Sequence, residues 1–314
     1  MIRLSMSYMR TFMGGSDVPI PKISTKEVEK FEMNDLNRSQ YFLEYVNYSV
    51  LHNPFRKFPY FTASNIHGNL FQKITRKELF AGKGDRWKKD PRIPEKEQWG
   101  HELYSAVKSD FDKGHLTKRE DVQWGTDRNK AIAAAESTFF YTNAMPQVDK
   151  LNRGIWRLIE DYILHHQTIT HQIKINLFTG PVFFEDDPYF VTQVNGNTIQ
   201  IPYLFWKVIY YQSNGTLHRT GFLTSQKNIL EKRRIVKPTV RADMEEEANL
   251  FMTFKDAETY QVRVDFIENI SGLTFHEAVE NFVENTPEEL IVSGVNVRSD
   301  KILDIKNATI NITL

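Results

Sequence analysis

Three blocks, Asp112-Lys113-Gly114-His115, Thr142-Asn143-Ala144-Met145-Pro146-Gln147 and Leu151-Asn152-Arg153-Gly154-Ile155-Trp156, the last running on to Glu160, set an imidazole, two asparagine carboxamides and a carboxylate close together. That set suits a one-metal phosphodiesterase. Splitting a phosphodiester takes a deprotonated water, relief of transition-state charge and a stabilised leaving oxygen. Histidine, with an ordinary pKa of ~6.5, is a competent base at neutral pH, so activity is expected to rise as pH passes through ~6.5. Gly114 beside His115 would let the backbone turn sharply and a phosphate approach. A hard ion such as Mg²⁺ takes oxygen ligands and keeps several waters, so one asparagine carboxamide can suffice as its protein ligand. Asn152, Trp156 and Glu160, spaced i, i+4, i+8, drift only ~40° per step along one helical stripe, and eight residues rise ~12 Å. That is too far for Asn152 and Glu160 both to clasp one ion directly, so if both serve the metal, Glu160 must act through a metal-bound water.

Outward from these blocks, 314 residues with 40% hydrophobic and 13% aromatic content describe a globular chain with a sizeable core, not a disordered one. No window is long and apolar enough to span a membrane, and Met1–Met13 lacks the pattern of a secretory signal. The absence of cysteine excludes disulfides and thiolate metal sites. These features set a cytoplasmic expectation, with export by another route or mitochondrial targeting left open. Net charge is zero, but it is unevenly spread. Residues 51–130 hold 17 Lys+Arg against 11 Asp+Glu, and residues 231–314 hold 10 against 16. The +6 region contains His115, which favours a polyanionic substrate, and the −6 region could dock on it as a restraint.

Periodicity predicts α+β architecture, a largely antiparallel central sheet flanked by helices. Tyr41–Val50 and Lys57–Ile66 read as strands around a His52-Asn53-Pro54 break, which puts Arg56 at a hairpin mouth with its bidentate fork free for a phosphate. Asn129–Glu136 reads as a helix, Ser137–Thr142 as a short buried strand, and Asp149 to about His165 as one amphipathic helix. Ile173–Thr179, Thr198–Ile201, Phe205–Tyr211 and Tyr260–Phe266 read as strands, with a helix near Thr274–Val283 and another near Thr25–Phe31.

The three blocks resemble the DNA/RNA non-specific endonuclease family of the ββα-metal (His-Me finger) superfamily, whose signature reads Asp-Arg-Gly-His, Asn-x-x-Pro-Gln, then Leu-Asn-x-x-x-Trp and Glu. Phe139–Asn143, Phe178–Pro188, Ile201–Val208, Gly221–Leu223 and Thr259–Phe275 resemble further parts of it. The resemblance covers residues 41–275 and leaves an N-terminal arm, 1–40, and a C-terminal extension, 276–314. It implies a ββα-metal nuclease core that hydrolyses DNA and RNA with little sequence preference, using Mg²⁺, Mn²⁺ or another divalent ion. By similarity His115 is the general base and Asn152 the metal ligand. Glu160 is a water-mediated carboxylate, Asn143 an orienting carboxamide, and Arg56 a phosphate contact. Lys113 stands where the family has arginine, keeping the charge but losing the planar fork. Lys113 and Arg119 are further substrate-binding candidates.

Competing readings stand beside these. His165, His166 and His171 could form a second metal site, or reflect the preference of helix C-termini for cationic side chains. Glu185-Asp186-Asp187 reads as an acidic surface turn, Glu245–Glu247 as a solvated helix face, and Trp156 as core. The partners implied are DNA and RNA, with no membrane, and with a homodimer and an inhibitor or activating protein as open readings. The alternative function is a nucleic-acid-binding module of the same fold, weakened in catalysis at Lys113 and acting in a larger assembly, such as a toxin or defence system.

Overall fold

The computed structural model describes residues 7–30, 39–237, 255, 257–293, 297–298, 301–302 and 309–313. The strands in chain order are β1 (Lys22–Ile23), β2 (Phe42–Tyr45), β3 (Tyr48–Asn53), β4 (Phe58–His67), β5 (Asp112–His115), β6 (Ala144–Gln147), β7 (Lys174–Pro181), β8 (Tyr189–Phe190), β9 (Leu204–Ser213), β10 (Thr216–Ser225), β11 (Val236–Lys237), β12 (Thr259–Val262), β13 (Leu273–Thr274), β14 (Val279–Glu280) and β15 (Glu288–Glu289). The helices that matter below are α1 (Arg76–Phe80), α2 (Arg128–Ser137), α3 (Asp149–Arg153), α4 (Ile155–Asp161) and α5 (Val264–Ser271).

A nine-stranded sheet runs β15-β12-β10-β9-β7-β4-β3-β2, with β14 added beside β10. Every pairing in it is antiparallel except β10 with β14. β4, β7 and β9 form its centre and are buried on both faces, and polar residues such as Ser64, Asn176, Thr179 and Lys207 are buried in them beside the apolar ones. On one face Phe178 and Trp206 pack on Phe275, with ring centroids 6.1 and 5.2 Å away. The next residues along, Thr179 and Lys207, pair across β7 and β9 and point to the opposite face. That opposite face carries the β5–β6–α3 unit.

Several boundaries move. Tyr41–Val50 is two strands, because Asn47 adopts φ +69° and turns β2 into β3. Asn214 and Gly215, at φ +50° and +78°, make a second two-residue hairpin between β9 and β10, a strand absent from the sequence reading. Ser137–Thr142 is a helix end and a turn, and the strand follows at β6. Thr198–Ile201 forms no strand. β12 ends at Val262, and the helix expected near Thr274–Val283 lies earlier, at α5, capped by Gly272 in the left-handed region. The first 40 residues do not form a separate arm where they are described. Phe12 and Val18 are buried, and the Phe12 ring stands 5.2 Å from Trp124.

Candidate active site

β5 and β6 form an antiparallel ribbon with Asp112 opposite Gln147 and His115 opposite Ala144, and α3 follows at once. This strand–strand–helix unit is tied to the sheet by buried polar contacts. The Ser64 and Thr117 hydroxyls stand 2.9 Å apart, and the Val148 N–H donates to Gln226 Oε1 at 3.0 Å. Asn143 closes the unit from within. Its Oδ1 accepts the Thr117 N–H at 2.9 Å, and its Nδ2 donates to the Thr117 and Thr138 carbonyls at 2.9 and 3.0 Å. Fully buried, Asn143 fixes the loop leaving His115 and does not itself reach the cleft.

Gly114 has a different reason to be glycine from the one its neighbour suggests. Its φ lies outside the left-handed region, and it sits in extended strand β5. A Cβ there would stand 2.0 Å from Gln147 Oε1, so glycine makes room for a side chain across the ribbon, not for a turn. Gln147 is buried, and neither its Oε1 nor its Nε2 finds a partner.

His115 is walled by the Trp87 and Phe139 rings, with centroids 4.6 and 4.9 Å away. Burial, then the nearby Arg76 and Arg119 guanidiniums, push its pKa down to about 3. Its Nε2 has no hydrogen-bond partner among the described residues. A neutral imidazole with an unclaimed nitrogen is what a general base requires.

The single helix expected over Asp149–His165 is broken. α3 stops at Arg153, Gly154 turns at φ −90° and ψ −142°, α4 follows, and Tyr162–Ile169 is π-helical. Asp112 holds the end of α3 in place: it accepts Asn152 Nδ2 at 2.9 Å and the Arg153 guanidinium at 2.6 and 2.9 Å. The contact orients the Asn152 carboxamide and leaves its Oδ1 for another partner. Trp156 is buried core, as its apolar context suggested. Asn152 and Glu160 lie on opposite sides of the break and still line one cleft.

That cleft, of about 720 Å³, also contains His115, Trp87, Lys113 and Arg119. Six Lys and Arg side chains line it against four carboxylates, so a polyanion meets a net cationic wall. Glu160 Oε1 lies 2.9 Å from the Lys207 ammonium. Lys118 pairs with Asp161 and lies 3.3 Å from Glu120. Burial opposes the charge on Lys118, but Asp161, Glu120 and Glu160 overcome it and raise its pKa well above the usual lysine range. Glu120 is held below the carboxylate range, because His165, Lys118 and Arg119 outweigh its burial. Asp121, by contrast, is pushed up to about 7 by burial, with Glu160 and Glu120 adding to it against Lys118 and Lys207.

The fit to a hard divalent ion rests on the donor set: a free asparagine oxygen, a cleft carboxylate and no sulfur. Glu120, Asp161 and His165 also bring three ligand atoms within 4.8 Å of one another, but the Lys118 ammonium already lies between the two carboxylates. His171 lies elsewhere, lining a pocket with Tyr211 and His218. Lys113 stands on the cleft wall with its ammonium 5.5 Å above the Tyr104 ring. Arg119 pairs with Glu120 at 2.9 Å.

Arg56 is not in the site. The turn places it at the hairpin tip as expected, but its side chain folds inward, pairs with Asp187 and Gln200, and donates to the Phe184 carbonyl at 3.2 Å. Asp187 is fully buried, so the acidic turn Glu185–Asp187 is not wholly surface either. A phosphate contact at Arg56 is therefore corrected to a structural ion pair. The cleft cations that the sequence reading missed, Arg76 and Lys118, and the indole of Trp87 carry no motif. They arrive from the polar excursion 67–110 and from the loop after β5. Lys207 did leave a signal, as a lysine in the middle of an apolar strand, where a charge is rare unless paired.

The comparisons agree with the fold. A crystal structure of an EndoG/EndoGI complex superposes with a TM-score of 0.50 and 17% identity, covering 75% of this chain and 85% of that one, which supports the fold. Uncharacterized protein y4fB of Sinorhizobium fredii (strain NBRC 101917 / NGR234) is 36% identical over 195 residues, 59% of this chain and 27% of that protein. Mitochondrial endonuclease G of Homo sapiens is 28% identical over 212 residues, 64% and 60% of the two chains. The Bos taurus protein is 30% identical over 186 residues, 56% and 52%. The chain thus spans well under two thirds of the length of these curated relatives. The family pattern matches residues 27–282, wider at both ends than the stretch recognisable from the blocks, and with it the chain belongs to the DNA/RNA non-specific endonuclease family.

Proposed function

We propose that this chain is a divalent-metal-dependent endonuclease that hydrolyses phosphodiester bonds of DNA and RNA with little sequence preference. The observation that carries the reading is the cleft itself. His115, whose buried Nε2 has no partner among the described residues, and Asn152, whose Nδ2 is held by Asp112, line one cavity with an excess of cations. His115 takes the proton from the attacking water. Asn152 Oδ1, with Glu160 through water, would hold the ion, which supplies neutralising charge at the phosphate when bound; Mg²⁺ and Mn²⁺ both suit this oxygen set. Lys113 and Arg119 contact the backbone phosphates, and Asn143 keeps the His115 loop in register. Cationic wall residues grip phosphates without reading bases, which supports low sequence preference. A cleft open to any polyanion is also the reason to include control by an inhibitor or activating partner, and with it a toxin or defence role.

The test is degradation of supercoiled plasmid with and without Mg²⁺. His115→Ala should reduce the rate on the order of 10²-fold or more, the size of a general-base contribution. In calorimetric titration Asn152→Ala should weaken Mg²⁺ binding, whereas Glu160→Gln should keep binding and lose rate. Equal cleavage by wild type and His115→Ala removes the assignment.

A further inference from the structure

Lys207 is fully buried in the centre of the sheet, where a lysine has no solvent to support its charge. Its ammonium meets three groups. Glu160 Oε1 lies at 2.9 Å, Thr179 Oγ1 at 3.3 Å, and the Trp156 ring centroid at 4.7 Å. Thr179 is its cross-strand partner on β7, while Trp156 and Glu160 stand one helical turn apart on α4. The ammonium therefore fills the gap between sheet and helix.

Packing alone would not favour such a group. A buried ion pair costs desolvation, and apolar residues of similar volume commonly replace one with no loss of stability. The charge here lies behind a cleft carboxylate. Lys207 takes one oxygen of Glu160, and no described residue is seen to bond the other, while the residue lines the cleft. The break at Gly154 makes this contact more consequential. α4 no longer inherits its position from Asn152 through one continuous helix, so something must fix Glu160 independently.

We infer that Lys207 is a positioning residue for Glu160: it holds the carboxylate from beneath the cleft so that its second oxygen faces the reaction. The inference rests on the nuclease reading and adds to it a residue outside the three motif blocks. Its role is indirect, since it touches neither substrate nor the reacting atoms.

The experiment compares Lys207→Met, Glu160→Gln and the double variant in plasmid cleavage, Mg²⁺ calorimetry and thermal unfolding. Lys207→Met should lower kcat about 10- to 100-fold, the range for removing a partner that orients a metal-site group, with KM for DNA within about twofold. The double variant should be no slower than the slower single variant, because both changes remove one arrangement. Mg²⁺ affinity should be kept in Lys207→Met, as in Glu160→Gln, with the binding enthalpy changed alike in both because the hydrated ion loses its orienting carboxylate. Rate losses that multiply in the double variant, or an unchanged kcat and Mg²⁺ binding enthalpy in Lys207→Met, overturn the inference. If Lys207→Met does not fold, Thr179→Val loosens the ammonium without removing it. It should lower kcat several-fold at constant KM, and an unchanged kcat overturns the inference. Wild-type cleavage measured in parallel separates the two readings. An inactive wild type removes the nuclease assignment and leaves the Mg²⁺ binding enthalpy to judge Lys207, whereas an active wild type with an unaffected Lys207→Met removes only Lys207.

Discussion

Arg56 and Lys207 exchange the roles their contexts suggest, because the direction of a side chain is set by what it can pair with. The hairpin-tip arginine turns inward to Asp187, and the strand lysine reaches the cleft wall at Glu160. Arg56→Ala should remove the guanidinium facing buried Asp187 and cost about 3–5 kcal/mol of stability, while kcat per folded molecule stays within about twofold. Thermal unfolding and active-site-normalised kinetics check it, and a large kcat loss in fully folded protein would return Arg56 to the site. His115 shows the same dependence on surroundings. A general base works unprotonated, and burial pushes the His115 pKa down to about 3. A lowered pKa extends the unprotonated range downward, so kcat/KM should be level from pH 8 to pH 6 and fall only well below the ordinary ~6.5. This revises the sequence expectation of a rise through ~6.5. A profile with its acid limb at or above 6.5 would show that the imidazole is not desolvated as the structure has it.

At the scale of elements, two glycines position the ribbon and the helix pair. Gly114 lets Gln147 lie flat across β5, and Gly154 allows the break that separates Asn152 from Glu160. A Cβ at Gly154 would stand 2.1 Å from the Lys150 carbonyl oxygen. Gly114→Ala should force Gln147 out of its seat at about 1–3 kcal/mol, the usual cost of overpacking, and shift His115 with it. The expected readout is a lowered melting temperature together with a drop in kcat that Gln147→Ala, by opening space, partly restores. Gly114→Ala with wild-type stability would mean that Gln147 simply rotates away. Periodicity predicted one amphipathic helix because the apolar positions continue through the break. The interruption comes from tertiary pull by Asp112 on Asn152 and Arg153, which no local pattern records.

Across the whole molecule, the charge division seen in the sequence has two outcomes. The basic part does surround the cleft, so substrate affinity should fall steeply with salt as phosphate contacts displace counterions. The acidic part does not dock there where it is described. β14 pairs with β10 and β15 with β12, with Phe282 and Leu290 buried, and among the described residues none beyond 275 lines the cleft. Glu245–Glu247 lies outside the described residues. Removing the chain after residue 275 would strip two edge strands from the sheet. The truncated protein should unfold at lower temperature or aggregate, with no gain in specific activity. Circular dichroism melting beside plasmid cleavage checks this, and a stable, more active truncation would revive restraint by the tail.

The sequence by itself determined the family, the α+β class and the central strands, and it singled out His115 and Asn152 as the candidates for base and carboxamide ligand. Those rest on short-range facts: residue types at fixed spacing, and apolar runs long enough to be buried. Asp112-Lys113-Gly114-His115 and Asn152 need no more than their neighbours to be recognised. The tertiary structure alone decided which charges meet. Lys207 reaches Glu160 from a strand 47 positions away in sequence, Arg56 finds Asp187 across the sheet end, and Arg76 and Trp87 come to His115 from a polar excursion without periodicity. A charged side chain is long and flexible, and its free energy depends on the partner and burial it finds. Those are properties of the folded neighbourhood, and the order of residues along the chain does not encode them locally.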